Sequence, residues 1–101
     1  MKDLIVIIAN KFSEEDIMKA ANEAGAHGGT VIHGHGTANQ VQLSLLGLTI
    51  DPEKEVILVV VNREITKILK RTLTEKFIME EPNKGILFVM PIKKYRGVFE
   101  G

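Results

Sequence analysis

Apolar residues follow two rhythms along this chain. Short continuous runs, LIVIIA at 4–9, EVILVVV at 55–61 and ILFVMPI at 86–92, are rich in β-branched residues and bounded by polar or turn-forming stretches. Such runs predict buried strands. GTVIHG at 29–34 predicts a further strand. Between the strands the spacing becomes helical. Ile17, Met18, Ala20, Ala21 and Ala24 fall on one stripe, and Ile65, Ile68, Leu69, Leu73 and Phe77 on another. The first stripe predicts a helix over 14–24. Ser13 is its expected N-cap, with the hydroxyl accepting a first-turn amide. Glu14, Glu15 and Asp16 stand at the positive end of the helix dipole, and Gly25 closes the other end. The second stripe predicts a helix over 63–78, with Lys67, Lys70, Arg71 and Lys76 mostly off the stripe as a solvated face. Residues 37–54 mix polarities and are broken by Gly47 and by Asp51-Pro52, so they read as a loop. EEPNKG at 80–85 is a second loop, and the tail from Lys93 has no clear period.

The order is strand–helix–strand, twice. The halves are weakly alike: LIVIIANKF resembles VILVVVNRE, with Asn10 and Asn62 at equivalent places. A doubled βαβ unit in 101 residues predicts one α+β domain over 1–101. Its form is a ferredoxin-like βαββαβ sandwich, an antiparallel four-stranded sheet with two helices on one face. A sheet with one wet face should alternate apolar and polar positions, and these strands do not. The uncovered face would be a large greasy patch, so self-association is expected in preference to the alternative, a central loop and tail folded over it, because those segments are too polar to cover it fully.

Charge and composition narrow the function. Thirteen basic residues balance thirteen acidic ones, and aromatic residues make up 5% with no Trp. Broad attraction to nucleic acid or a membrane surface, and a base-stacking face, are therefore not expected. KGILFVMP at 84–91 lacks the stacking aromatics of an RNA-recognition strand, with Ile86 and Pro91 in their places. No apolar run approaches the ~20 residues of a spanning helix. The opening MKDLIVIIANKF reads as a first strand rather than a signal peptide. There are no cysteines, which excludes thiol chemistry and fits a cytoplasmic protein. No nucleophile stands beside a base, and Ser44 has no evident partner, so catalysis is not expected.

The chemistry concentrates in GGTVIHGHGTANQ, residues 28–40. Glycine admits close backbone approach to a phosphate or ribose, which favours Gly34 and Gly36 as contacts. Gly28-Gly29 reads as a turn. His33 and His35 are two apart on a strand and share a face, so they could ligate zinc or copper, with His27 as a third candidate. No nearby Cys or Asp completes that set, and structural or pocket-lining roles compete with it.

On this frame, GGTVIHGHGTAN after the first helix and KGILFVMPI at the last strand resemble the nitrogen regulatory P-II family, in its short P-II-like form. The resemblance covers most of the chain. It implies a homotrimer that binds ATP or ADP in clefts between subunits. A long loop after the second strand plugs into a target enzyme, transporter or transcription factor, without catalysis and without membrane insertion. The family's GFG matches GHG at 34–36, which makes Gly34 and Gly36 nucleotide contacts, with His35 and Thr37 beside them. The family's T-G-x-x-G-D-G-K turn answers to MEEPNKG at 79–85. Gly85 matches one glycine, the lysine position falls on Ile86, and Lys84 is the nearest substitute. Glu80 and Glu81 add negative charge where phosphates would lie. The family's magnesium-holding Gln falls on Ala38, and its C-terminal arginine pair has only Lys93, Lys94 and Arg96 nearby. The loop has no tyrosine, since the only one is Tyr95, so tyrosine-based uridylylation is not expected. The implied effector is an adenine nucleotide (ATP, ADP or AMP). A nucleotide with fewer phosphates, a different small anion and a decayed pocket all stay open. So does a metal-responsive trimer of the divalent-cation-tolerance type working through His33 and His35.

Overall fold

In a computed structural model of the chain, residues 1–10, 13–36, 53–76 and 85–97 are described. They form β1 (Lys2–Asn10), α1 (Glu14–Glu23), β2 (Thr30–His35), β3 (Glu53–Asn62), α2 (Arg63–Lys76) and β4 (Ile86–Ile92). The strands make one sheet in the order β2-β3-β1-β4, with every neighbouring pair antiparallel. This is the expected ferredoxin-like sandwich.

Strand alternation sorts each residue onto one of two faces. On the helix side Ile5, Ile7 and Ala9 of β1 and Ile57, Val59 and Val61 of β3 are buried against Ile17, Ala20 and Ala21 of α1 and Leu69 and Leu73 of α2. Met18, Ala24, Val31, Ile65 and Leu87 pack at the margin. Ile68, expected on the buried stripe, is 54% exposed. It lies about 100° round the helix from Leu69 and about 140° from Leu73, beyond the arc the sheet covers. Phe77 lies outside the described residues.

The other face is apolar too. The register lines up Ile32–Val56–Ile8–Ile86 as one row across the strands, Thr30–Leu58–Val6–Phe88 as the next, and Val60–Leu4–Met90 as a third. No described helix covers these rows. Phe88 and Met90 are 49% and 52% exposed. A lysine–asparagine pair closes the patch at each end. Lys2 Nζ donates to Asn62 Oδ1 at 2.6 Å, and Lys54 Nζ donates to Asn10 Oδ1 at 2.6 Å.

Those pairs expose how deep the internal repeat runs. KDLIVIIAN (2–10) and KEVILVVVN (54–62) match in class at every position, and antiparallel pairing sets each lysine against the other segment's asparagine. The acid after each lysine points to the helix side. Asp3 accepts Arg63 Nε at 3.1 Å and Nη2 at 2.9 Å on Oδ1, and Thr66 Oγ1 at 2.6 Å on Oδ2. Glu55 Oε1 accepts the Ser13 amide at 2.8 Å. Each strand's acid thus anchors the start of the helix that follows the other strand.

The expected hydroxyl cap does not form. Ser13 is at the N-cap position, but its hydroxyl makes no capping bond. Its backbone is already in the helical region (φ −91°, ψ −11°), not in the extended conformation from which a cap hydroxyl reaches back. The far end of α1 closes as read. Ala26 N–H bonds Ala21 O at 3.0 Å and Gly25 N–H bonds Asn22 O at 3.1 Å, a Schellman pair around Gly25 at φ +117°. A Cβ on Gly25 would also meet Ile65 Cδ1 at 3.0 Å. Gly25→Ala should therefore cost about 1–2 kcal/mol, read as a lower urea midpoint with an unchanged slope.

The last two residues of the loop read at 37–54 are strand. Glu53 and Lys54 belong to β3, because Lys54 pairs with both Asn10 and Gly34. Residues 37–52 lie outside the described part.

Candidate functional site

The end of the sheet where β2 finishes and β3 begins carries most of the residues singled out by sequence. Gly34 pairs with Lys54 and faces the open apolar side, and nothing lies within 4 Å of where its Cβ would be. A ligand can therefore approach the backbone there, and a side chain would fill the space it needs. Gly85 sits just before β4, whose first residue pairs with Ile8 at the same end of the sheet. Yet β2 and β4 are the two outer strands. Three inter-strand spacings separate them, roughly 14 Å. Gly34 and Gly85 share an end of the sheet but stand at its opposite edges. Thr37 and Lys84 lie outside the described residues.

His33 and His35 face the helix side, opposite to Gly34. His33 pairs with Glu55 and His35 with Glu53, and His35 Nδ1 stands 3.5 Å from Glu53 Oε1. Strand parity thus gives the histidines and Gly34 different surroundings. Two imidazoles and two carboxylates on one face would be a natural starting set for a metal. Among the described residues, however, no group of three or more His, Cys, Asp or Glu is arranged to hold an ion.

A cavity of about 550 Å³ opens at the other end of β2, within the range that takes small molecules. The 25–30 turn, Leu58, Val60 and Asn62 of β3, Glu64 and Ile65 of α2, and Lys2 line it. Its shape depends on glycine. Gly28 has φ +119°, and a Cβ on Gly29 would come within 2.9 Å of the Leu58 carbonyl oxygen. Sequence reasoning treated Gly28-Gly29 as a turn and missed that this turn walls a cavity. The paired glycines were the available signal. The contributions of Leu58, Asn62 and Glu64 come from across the fold and left none.

Asp3 lies beside this region and is buried, with its carboxyl held below the usual aspartate value. The Arg63 hydrogen bonds are the main cause, reinforced by Thr66 and opposed by burial. It serves the fold rather than the cavity, since both oxygens are taken by α2. No helix among the described residues is long and apolar enough to cross a membrane.

Comparison with known proteins agrees with this frame. Among proteins of curated function, none matches this chain by sequence. CPII of Thiomonas intermedia K12, solved with ADP, AMP and acetate, superposes with a TM-score of 0.71 at 19% identity over 94% of this chain and 89% of that one. GlnK of B. subtilis gives 0.67 at 18% over 91% and 85%, and Arabidopsis thaliana PII bound to citrate gives 0.67 at 19% over 90% and 74%. At these identities the likeness establishes the fold. The model of the nitrogen regulatory protein P-II family matches residues 1–98. With that match over nearly the whole chain, on a sheet of the same topology, the chain belongs to the nitrogen regulatory protein P-II family of signal-transduction proteins.

Proposed function

We propose that this protein is a small P-II-like regulator, not an enzyme. Its homotrimer holds an adenine nucleotide between subunits and controls a partner protein through the segment that joins β2 to β3. One observation carries the reading. The glycines matched to the family's nucleotide contacts lie at one end of the two outer strands of one sheet, with the two inner strands between them. The apolar face between them needs covering, and sister copies packed on it would set one chain's β2 edge against another's β4 edge.

Gly34 and Gly36 would supply the close backbone approach to ribose and phosphate, with Thr37, Lys84 and Gly85 at the phosphate end. His35, turned to the other face, would act on this end indirectly. From Thr30 to Gly34 is roughly 13 Å of strand, comparable to an extended nucleotide, so the cavity beside Gly28 and Gly29 is suited to the base. The ADP and AMP in the Thiomonas protein support this ligand class. Nucleotide contacts would begin where the chain leaves β2, so binding would favour one state of residues 37–52 and alter affinity for an enzyme, transporter or regulator.

A thermal-shift series with AMP, ADP and ATP tests the proposal. At ligand tenfold above Kd the Tm should rise by about 5 °C or more. Gly34→Val should leave the Tm without ligand nearly unchanged, because the Cβ position is open, and should weaken binding tenfold or more. No shift with any of the three at millimolar concentration removes the nucleotide reading.

A further inference from the structure

Lys2 stands apart from the other cations of the described residues. It is 5% exposed, yet no carboxylate among those residues pairs with it. Its contacts are neutral. Nζ donates to Asn62 Oδ1 at 2.6 Å and lies 5.9 Å from the centre of the Tyr95 ring. An ammonium has three N–H donors, and the bond to Asn62 uses one. It can only donate, so the Asn62 oxygen must face it, and the Asn62 amide nitrogen is left as a further donor. Both residues line the cavity of about 550 Å³. Asn62 stands directly before α2, and Glu64 and Ile65 of the first turn line the same cavity, at the positive end of the helix dipole. The matching pair at the other end of the sheet differs, because Lys54 is only partly buried and its charge stays open to water.

We propose that Lys2 and Asn62 form a subsite for a small carboxylate on the β1 side of this cavity. Burying a charge is costly unless an opposite charge meets it, and a ligand carboxylate supplies what the described chain does not. One carboxylate oxygen accepts a Lys2 N–H and the other accepts the Asn62 amide. Charge balance selects among oxyanions. One buried ammonium, with the exposed Glu64 carboxylate at the same cavity, matches a single negative charge and disfavours the double charge of phosphate. β1 and β2 flank β3 on opposite sides. Lys2 and the Gly28-Gly29 turn that leads into β2 therefore stand about two inter-strand spacings apart, roughly 9–10 Å. The carboxylate leaves the glycine side of the cavity open to the base, and the subsite does not rest on the nucleotide reading.

Tyr95 supplies the test. It is the only tyrosine and the chain has no Trp, so fluorescence of the full chain reads the ring beside Lys2. Acetate, titrated at ionic strength held constant with chloride, should change that fluorescence saturably at millimolar concentration and raise the Tm. Inorganic phosphate should bind more weakly. Lys2→Met should weaken acetate binding about tenfold or more, read by thermal shift, as expected for loss of a hydrogen bond to a charged group. Asn62→Asp tests the same point with the cation kept. It sets a carboxylate on Lys2 within the chain, so it should keep the wild-type circular dichroism and lose the acetate response. A silent wild type, tighter binding of phosphate than of acetate, or an unchanged response in Asn62→Asp overturns the subsite. A sister copy's carboxylate seated on Lys2 would appear as the first of these. AMP, ADP and ATP added to the same samples separate the two ideas. Nucleotide binding without an acetate response rejects the subsite alone, and an acetate response without nucleotide binding rejects the nucleotide alone.

Discussion

Phe88→Asp should turn an assembly of three times the 11.2 kDa chain mass into single chains, as read by sedimentation velocity at micromolar concentration. Phe88 lies in the middle row of the face that no described helix covers, beside Val6, and is about half exposed. A carboxylate there faces water in the isolated protomer, at little cost to the helix-side core. In an assembly that buries the face, an unpaired charge would lose its hydration, which costs several kcal/mol per copy. Far-ultraviolet circular dichroism should show the same strand and helix content as the wild type. If the variant keeps the wild-type mass, or if the wild type itself sediments as one chain, the apolar rows are not the interface and the inter-subunit cleft is lost with them.

The second large effect is expected at Asp3. Asp3→Ala removes three charge-assisted hydrogen bonds that tie β1 to the first turns of α2. Bonds to a charged group, with Thr66 left behind in a half-buried position, put the loss at about 2–3 kcal/mol. For a chain of this size that is a fall in Tm of roughly 10 °C or more. The pH dependence carries a definite sign. The folded carboxyl titrates below the ordinary aspartate value of 3.8, chiefly because of Arg63. The unfolded chain therefore binds the proton more readily in that acidic window, and stability rises with pH across it. The contribution is complete above the unfolded value and is lost as pH falls through the lowered folded one. Asp3→Asn should flatten this part of the acid limb relative to wild type, measured as urea midpoints between about pH 2.5 and 5. Equal slopes in both proteins would show that the Arg63 and Thr66 bonds do not distinguish the charged carboxylate.

Much of the frame was legible because its signals are local. The span of β4 follows from the run ILFVMPI, and the start and glycine stop of α1 follow from charge and capping chemistry within one turn. The apolar character of both sheet faces followed from strands that fail to alternate. What escaped the reading depended on partners far along the chain. The Ser13 hydroxyl makes no cap because its backbone is already helical, and Glu55, 42 residues away, takes the Ser13 amide. Ile68 lies outside the buried arc because the sheet covers only part of the stripe, and a helical period alone does not state how wide the covered arc is. Lys54 read as loop, yet its pairing with Asn10 and Gly34 makes it strand.

The site divides in the same way. Gly34, Gly36 and Gly85 stand out by residue type and family resemblance, since close approach of a backbone to a ligand requires glycine and sequence records that directly. Their separation onto opposite edges is a matter of strand order, which no single segment encodes. The cavity beside Gly28 and Gly29 likewise exists only because the Leu58 carbonyl and the first turn of α2 arrive there from far along the chain.

Sequence by itself determined the elements, the doubled βαβ plan and the surplus of apolar strand surface, because hydrophobic period, capping and turn chemistry act over a few residues. Only the tertiary structure decided which face each histidine takes, which acid holds which helix, and that the glycine contacts are parted by the width of the sheet. Those outcomes depend on strand order and cross-strand register, and both are settled by the packing of the whole sheet at once.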